Sequence, residues 1–83
     1  MTLASMKRRG QPDIRERFGS AVKAFREEKS LTQEQLADRA GIHRTYLSDV
    51  ERGSRNVSLV ILEKLAKALE LSLSDLFARV SDG

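Results

Sequence analysis

Arg44 opens the run Arg-Thr-Tyr-Leu-Ser-Asp-Val-Glu-Arg, in which hydrogen-bonding side chains recur on one side of a helix. At 100° per residue, Leu47 and Val50 define an inward side. Thr45, Ser48, Asp49 and Arg52 fall opposite, flanked by Arg44 and Tyr46. Thr, Tyr and Ser are poor helix formers, so local stability does not explain them. A planar guanidinium at the first turn can bind O6 and N7 of guanine together, worth about 1–3 kcal/mol against a wrong base. Thr45 can pack its methyl on thymine or bond a phosphate. Tyr46 can reach a phosphate or a base edge. Asp49 can accept from cytosine N4, at the cost of repelling nearby phosphates. Arg44, Thr45, Tyr46, Ser48 and Asp49 are therefore the candidate base readers.

Phosphate contacts call for other groups, because they anchor without specifying. The candidates are Gln33 at the start of the preceding helix, Arg52, and Ser54, Arg55 and Asn56 in the following loop. His43, the sole histidine, is expected to cap its helix or to join these candidates as a DNA phosphate contact. One histidine and no cysteine leave no thiolate or multi-histidine metal site, and no metal-ligand cluster, nucleophile–base pair or phosphate loop is visible. No catalytic activity, cofactor or small-molecule ligand is expected.

These residues need a scaffold, and apolar periodicity supplies an all-α one. Asp13 with Glu16 predicts a capping-box-like start to a helix over 14–29, with Ile14, Phe18, Ala21, Val22 and Phe25 inward. Thr32 with Gln35 predicts the next start, with Leu36, Ala37 and Ala40 inward. The turn Gly41-Ile42-His43 leads into the 44–52 helix, closed by Gly53. Two short helices across a glycine-containing turn form a unit whose second helix can enter a major groove. A fourth helix is expected from Ser58 to Glu70, with Ile61, Leu62, Leu65, Ala66 and Leu69 inward. Ser72 with Asp75 starts a fifth, to Val80. Residues 1–12 read as a flexible basic tail carrying Lys7, Arg8 and Arg9, either a plain leader or an arm for phosphate or the minor groove. Residues 13–80 read as the domain, and 81–83 as a frayed end.

The chain has 83 residues and a net charge of +3. Residues 1–57 carry 12 Lys/Arg against 8 Asp/Glu, whereas 58–83 carry 3 against 4. A basic front suits a polyanionic partner. A domain this small buries only about 60–65% of its unfolded surface, so oligomerisation would help. No apolar run nears the ~20 residues of a membrane span. The N-terminus lacks a signal-peptide core, and a cytoplasmic location is expected.

Leu31-Thr-Gln-Glu-Gln-Leu-Ala, Ala40-Gly-Ile and Tyr46-Leu-Ser-Asp-Val-Glu-Arg-Gly53 resemble the phage repressor (Cro/C1, XRE-type) helix-turn-helix. Leu65 to Phe77 is similar to its last two helices, so the likeness spans roughly residues 14–80. Arg44-Thr-Tyr-Leu-Ser, Glu51-Arg and Ser54-Arg-Asn look more closely like the controller proteins of restriction–modification systems. The resemblance implies a five-helix, lambda-repressor-like DNA-binding domain acting as a dimeric transcriptional regulator. It places base reading on Arg44, Thr45, Asp49 and Tyr46, and backbone contact on Gln33, Ser54, Arg55 and Asn56. It also implies an ion pair between Arg26 and Glu51. Ser30 departs from the family, which usually has glycine between the first two helices.

A homodimer is expected through Val60, Leu73, Leu76, Phe77 and Val80, because the last helix carries spare apolar surface. A two-fold pair would set its reading helices about one DNA turn apart, ~34 Å, matching a palindromic operator in double-stranded DNA. Binding at its own gene is the expected use. The alternative is an antitoxin or protein-interaction module on the same fold.

Overall fold

The computed structural model describes residues 12–80. Nearly all of the basic tail, residues 1–11, and the expected frayed end at 81–83 lie outside the described residues. Five helices follow in order: α1 (Ile14–Glu28), α2 (Gln33–Ala40), α3 (Arg44–Glu51), α4 (Leu59–Ala68) and α5 (Leu73–Arg79). Among the described residues there is no strand, so the fold is all-α.

Each helix start but one is set by a side chain that accepts from amides the first turn leaves free. Thr32 Oγ1 accepts from Gln35 N at 3.0 Å while Gln35 Oε1 accepts from Thr32 N at 2.8 Å, a complete capping box. Ser58 caps Ile61 N at 3.1 Å and Ser72 caps Asp75 N at 2.9 Å. Asp13 departs from the expected partner. Its carboxylate takes Arg15 N at 2.7 Å, one residue short of the Glu16 amide, and also takes Arg15 Nε at 2.9 Å. His43 is the exception. It sits at the N-cap of α3 with no side-chain capping bond, so its expected capping role is corrected.

The first four helices end the same way, with a left-handed residue closing paired bonds to the last turn. Those residues are Ser30 (φ 58), Gly41 (φ 71), Gly53 (φ 80) and Glu70 (φ 62). After three of them an apolar residue, Leu31, Ile42 or Leu71, tucks against the core. After α3 that place goes to exposed Ser54, whose amide bonds back to the Asp49 carbonyl.

Val22, Leu36, Leu47, Val50, Leu65, Leu69 and Leu76 are fully enclosed. Phe18 meets Phe77 with ring centroids 6.0 Å apart. Ile14, read as inward, stands at the first position of α1 and is 50% exposed. Gly19 lies hard against the end of α3. A Cβ there would stand 2.3 Å from the Val50 carbonyl oxygen and 2.7 Å from that of Glu51. Only glycine lets α1 lie so near the end of α3.

Candidate nucleic-acid interface

The position of α3 is fixed from within. Leu47 and Val50 anchor its inward side in the core. Its end is held by Glu51, whose carboxylate accepts from Arg26 Nε at 2.7 Å and Arg26 Nη2 at 3.0 Å. Arg26 Nη1 donates to the Leu31 carbonyl at 2.8 Å. Gln33 Nε2 donates to Glu51 Oε1 at 3.0 Å. The Glu51 side chain is 3% exposed and that of Arg26 11%. The hydrogen bond to Glu51 raises the Arg26 pKa further above its already high value, so the guanidinium stays charged. A two-pronged pair with every oxygen partnered offsets the desolvation that burial imposes. The network ties α1, the start of α2 and the end of α3 into one unit.

The outward side of α3 divides into two groups. Arg44 and Thr45 are exposed, and their side chains make no hydrogen bond or ion pair among the described residues. Arg44 therefore stands as an uncommitted cation at the leading end of the helix. The other candidates are engaged. Arg52 Nη1 donates to Ser48 Oγ at 2.7 Å, and its Nη2 pairs with Asp49 Oδ1. Arg55 Nε and Nη2 reach Asp49 Oδ2 at 3.2 and 3.1 Å. The Arg55 guanidinium lies 4.9 Å from the centre of the Tyr46 ring, a cation–π contact. Ser54 Oγ donates to the Asp49 carbonyl at 3.1 Å. Asn56 and His43 are exposed without a side-chain bond among the described residues.

Tyr46, Ser48, Asp49, Arg52, Ser54 and Arg55 thus form one connected cluster along the outward side of α3 and the loop after it, with Arg44 and Thr45 exposed at the leading end of the helix. Gln33 belongs partly to the scaffold, since one amide N–H serves Glu51. No group of three or more His, Cys, Asp or Glu able to hold a metal occurs among the described residues.

The residues expected at a dimer seam do not all reach the surface. Leu76 is 0% exposed and belongs to the monomer core, where α5 packs against α1 and α4, so it cannot supply a dimer seam. Val80 is half-buried against the same core. Val60, Leu73 and Phe77 are exposed, by 60%, 42% and 42%. Leu59, not anticipated, is 80% exposed beside Val60. Its place at the edge of the α4 apolar stripe was a signal available in the sequence.

Comparison with known proteins agrees with the all-α fold. Residues 22–76 match the family described as helix-turn-helix. Control protein C.MunI from a Mycoplasma species is 48% identical over 69 residues, covering 82% of this chain and 93% of that one. Control protein C.BamHI from Bacillus amyloliquefaciens is 51% identical over 65 residues, covering 77% and 80%. Among solved structures, the restriction–modification controller protein C.AhdI from Aeromonas hydrophila superposes with a TM-score of 0.74 at 46% identity, over 76% of this chain and 96% of that one. The controller protein C.Esp1396I, solved as a tetramer with its natural 35 base-pair operator, gives 0.78 at 36% identity, over 84% and 92%. No helix among the described residues is long and apolar enough to cross a membrane.

Proposed function

The chain belongs to the helix-turn-helix family, with restriction–modification control proteins among its relatives, and on that premise we propose that it is a sequence-specific DNA-binding transcriptional regulator of the controller type. It works in the cytoplasm without catalysis or cofactor. One observation carries the reading: Arg44 and Thr45 lie exposed, without a side-chain partner among the described residues, at the leading end of a helix whose other side is locked into the core. A helix held in this way can enter a major groove tip first. Arg44 then takes a guanine edge, and Thr45 a thymine methyl or a phosphate. Arg52, Ser54, Arg55 and Asn56, with the α2 start at Gln33, lie along the flanking backbone and contact phosphates.

The regulator acts as a homodimer on paired half-sites upstream of its own gene. Leu59, Val60, Leu73 and Phe77 supply the seam, since they are the large apolar side chains at the α4–α5 end that the monomer leaves exposed. The DNA-binding domain spans residues 13–80.

A nuclease footprint on the duplex upstream of the gene tests the proposal. The expected result is two protected half-sites with centres about one helical turn apart. Uniform protection with no preferred site refutes it. Stable co-purification with a neighbouring gene product and no footprint favours the antitoxin alternative.

A further inference from the structure

Asp49 has the wrong surroundings for a base reader. Three arginine N–H groups reach its carboxylate, one on Oδ1 from Arg52 and two on Oδ2 from Arg55. Its side chain is only 19% exposed. Its backbone carbonyl takes both the Ser54 hydroxyl and the Ser54 amide, at 3.1 and 3.0 Å. One residue therefore organises the whole segment where the chain leaves α3. Arg52 is held from a second side by Ser48, and Arg55 by the ring of Tyr46.

We propose that Asp49 is a positioning residue rather than a base reader: it clamps Arg52 and Arg55 beside the end of α3 and thereby sets how sharply the surface distinguishes one duplex from another. The inference rests on the DNA-binding reading above.

Two physical effects follow from the clamp. Each guanidinium keeps donors beyond those Asp49 uses, Nε on Arg52 and Nη1 on Arg55, and these remain available to phosphate oxygens. The two long side chains lose rotamer freedom on folding instead of on binding, which is preorganisation. The carboxylate also removes one positive charge of the local two and repels any phosphate that approaches out of register. Sequence-independent attraction is weakened while the fit at the right site is kept. Replacing Asp49 by Asn moves the two effects in opposite directions. It strengthens binding to arbitrary DNA and weakens preference.

The test uses the full chain and two duplexes of equal length. One is recovered by selection from a random-sequence library; the other is a mixed-sequence duplex. Dissociation constants are measured over a salt series for the parent, Asp49→Asn, Asp49→Glu, the Arg52→Ala/Arg55→Ala pair, and that pair with Asp49→Asn. In the parent background, Asp49→Asn is expected to tighten mixed-sequence binding about threefold, steepen the salt dependence, and lower the preference ratio about tenfold, with Asp49→Glu restoring much of it. In the double-alanine background the same change is expected to alter the ratio by less than about twofold, the signature of coupled groups. An equal loss in both backgrounds overturns the proposal, as does a loss confined to one base pair. A separate arm needs no DNA. The Arg55 Nε–H in the free protein is expected to exchange with solvent faster in Asp49→Asn than in the parent, and an unchanged rate contradicts the clamp. A parent chain that prefers neither duplex refutes the DNA-binding reading itself, while this arm still judges the clamp.

Discussion

Gly19→Ala is the sharpest structural test of how α3 is held. The added methyl would lie 2.3 Å from the Val50 carbonyl oxygen and 2.7 Å from that of Glu51. Both are backbone atoms, so no side chain can rotate away. Restoring even a 3.0 Å contact requires α1 and α3 to part by about 0.7 Å at this point. Overpacking of this kind costs about 1–3 kcal/mol, and two rigid backbone walls place this site at the upper end. Alanine regains about 1 kcal/mol of helix propensity over glycine. The net loss is about 2 kcal/mol. At 4–8 °C per kcal/mol for a domain of this size, the melting temperature falls by about 8–16 °C. Ser20→Ala, one position away on the exposed side of α1, is the control, and propensity alone makes it neutral to slightly stabilising. Thermal unfolding of the three chains at equal concentration measures the difference. A Gly19→Ala chain that melts at or above the parent refutes the argument.

Glu51→Ala strands the Arg26 guanidinium in a site where its side chain is only 11% exposed. Denaturant titration is expected to show a loss of about 3–5 kcal/mol, and a loss under ~1 kcal/mol would show the pair to be ornamental. Ser30→Gly relieves a serine held at φ 58; after the entropy of the unfolded glycine is counted, stability rises by up to about 1 kcal/mol, and a clear fall would contradict the left-handed turn. Leu76→Ala opens a cavity in the monomer and costs about 2–5 kcal/mol, with the loss present at every protein concentration. Val60→Asp, by contrast, is expected to leave the monomer folded and abolish self-association in sedimentation. A Val60→Asp chain that still sediments as a dimer moves the seam elsewhere.

The helices are legible in the sequence because their signals are local. Thr32, Ser58 and Ser72 stand where hydroxyls must meet free amides, and each does so. Gly53 marks the end of α3 because a left-handed residue is needed there. The outward set on α3 follows from the 100° rotation once Leu47 and Val50 are taken as inward. Other features depend on what lies across the fold. Leu73, Leu76 and Phe77 look alike on a helical wheel, yet only Leu76 is sealed, since burial depends on where α1 and α4 end. Gly19 reads as a mildly unfavourable helix residue until α3 is seen against it. Asp49 reads as an acceptor facing outward, and only the turn at Gly53 brings Arg55 back over it. The Arg26–Glu51 pair came from family likeness, because nothing in a separation of 25 residues announces contact.

Whether the tip of α3 distinguishes bases is tested most directly by Arg44→Ala. Dissociation constants are measured by fluorescence anisotropy for the parent and the variant, on the selected duplex and on mixed-sequence DNA at one salt concentration. Loss of one two-pronged guanine contact predicts a weakening of about 5- to 150-fold on the selected duplex, and only the small loss expected of one removed charge on mixed-sequence DNA. An equal loss on both would show that Arg44 merely attracts phosphate, and the account of α3 as the reading element would be contradicted.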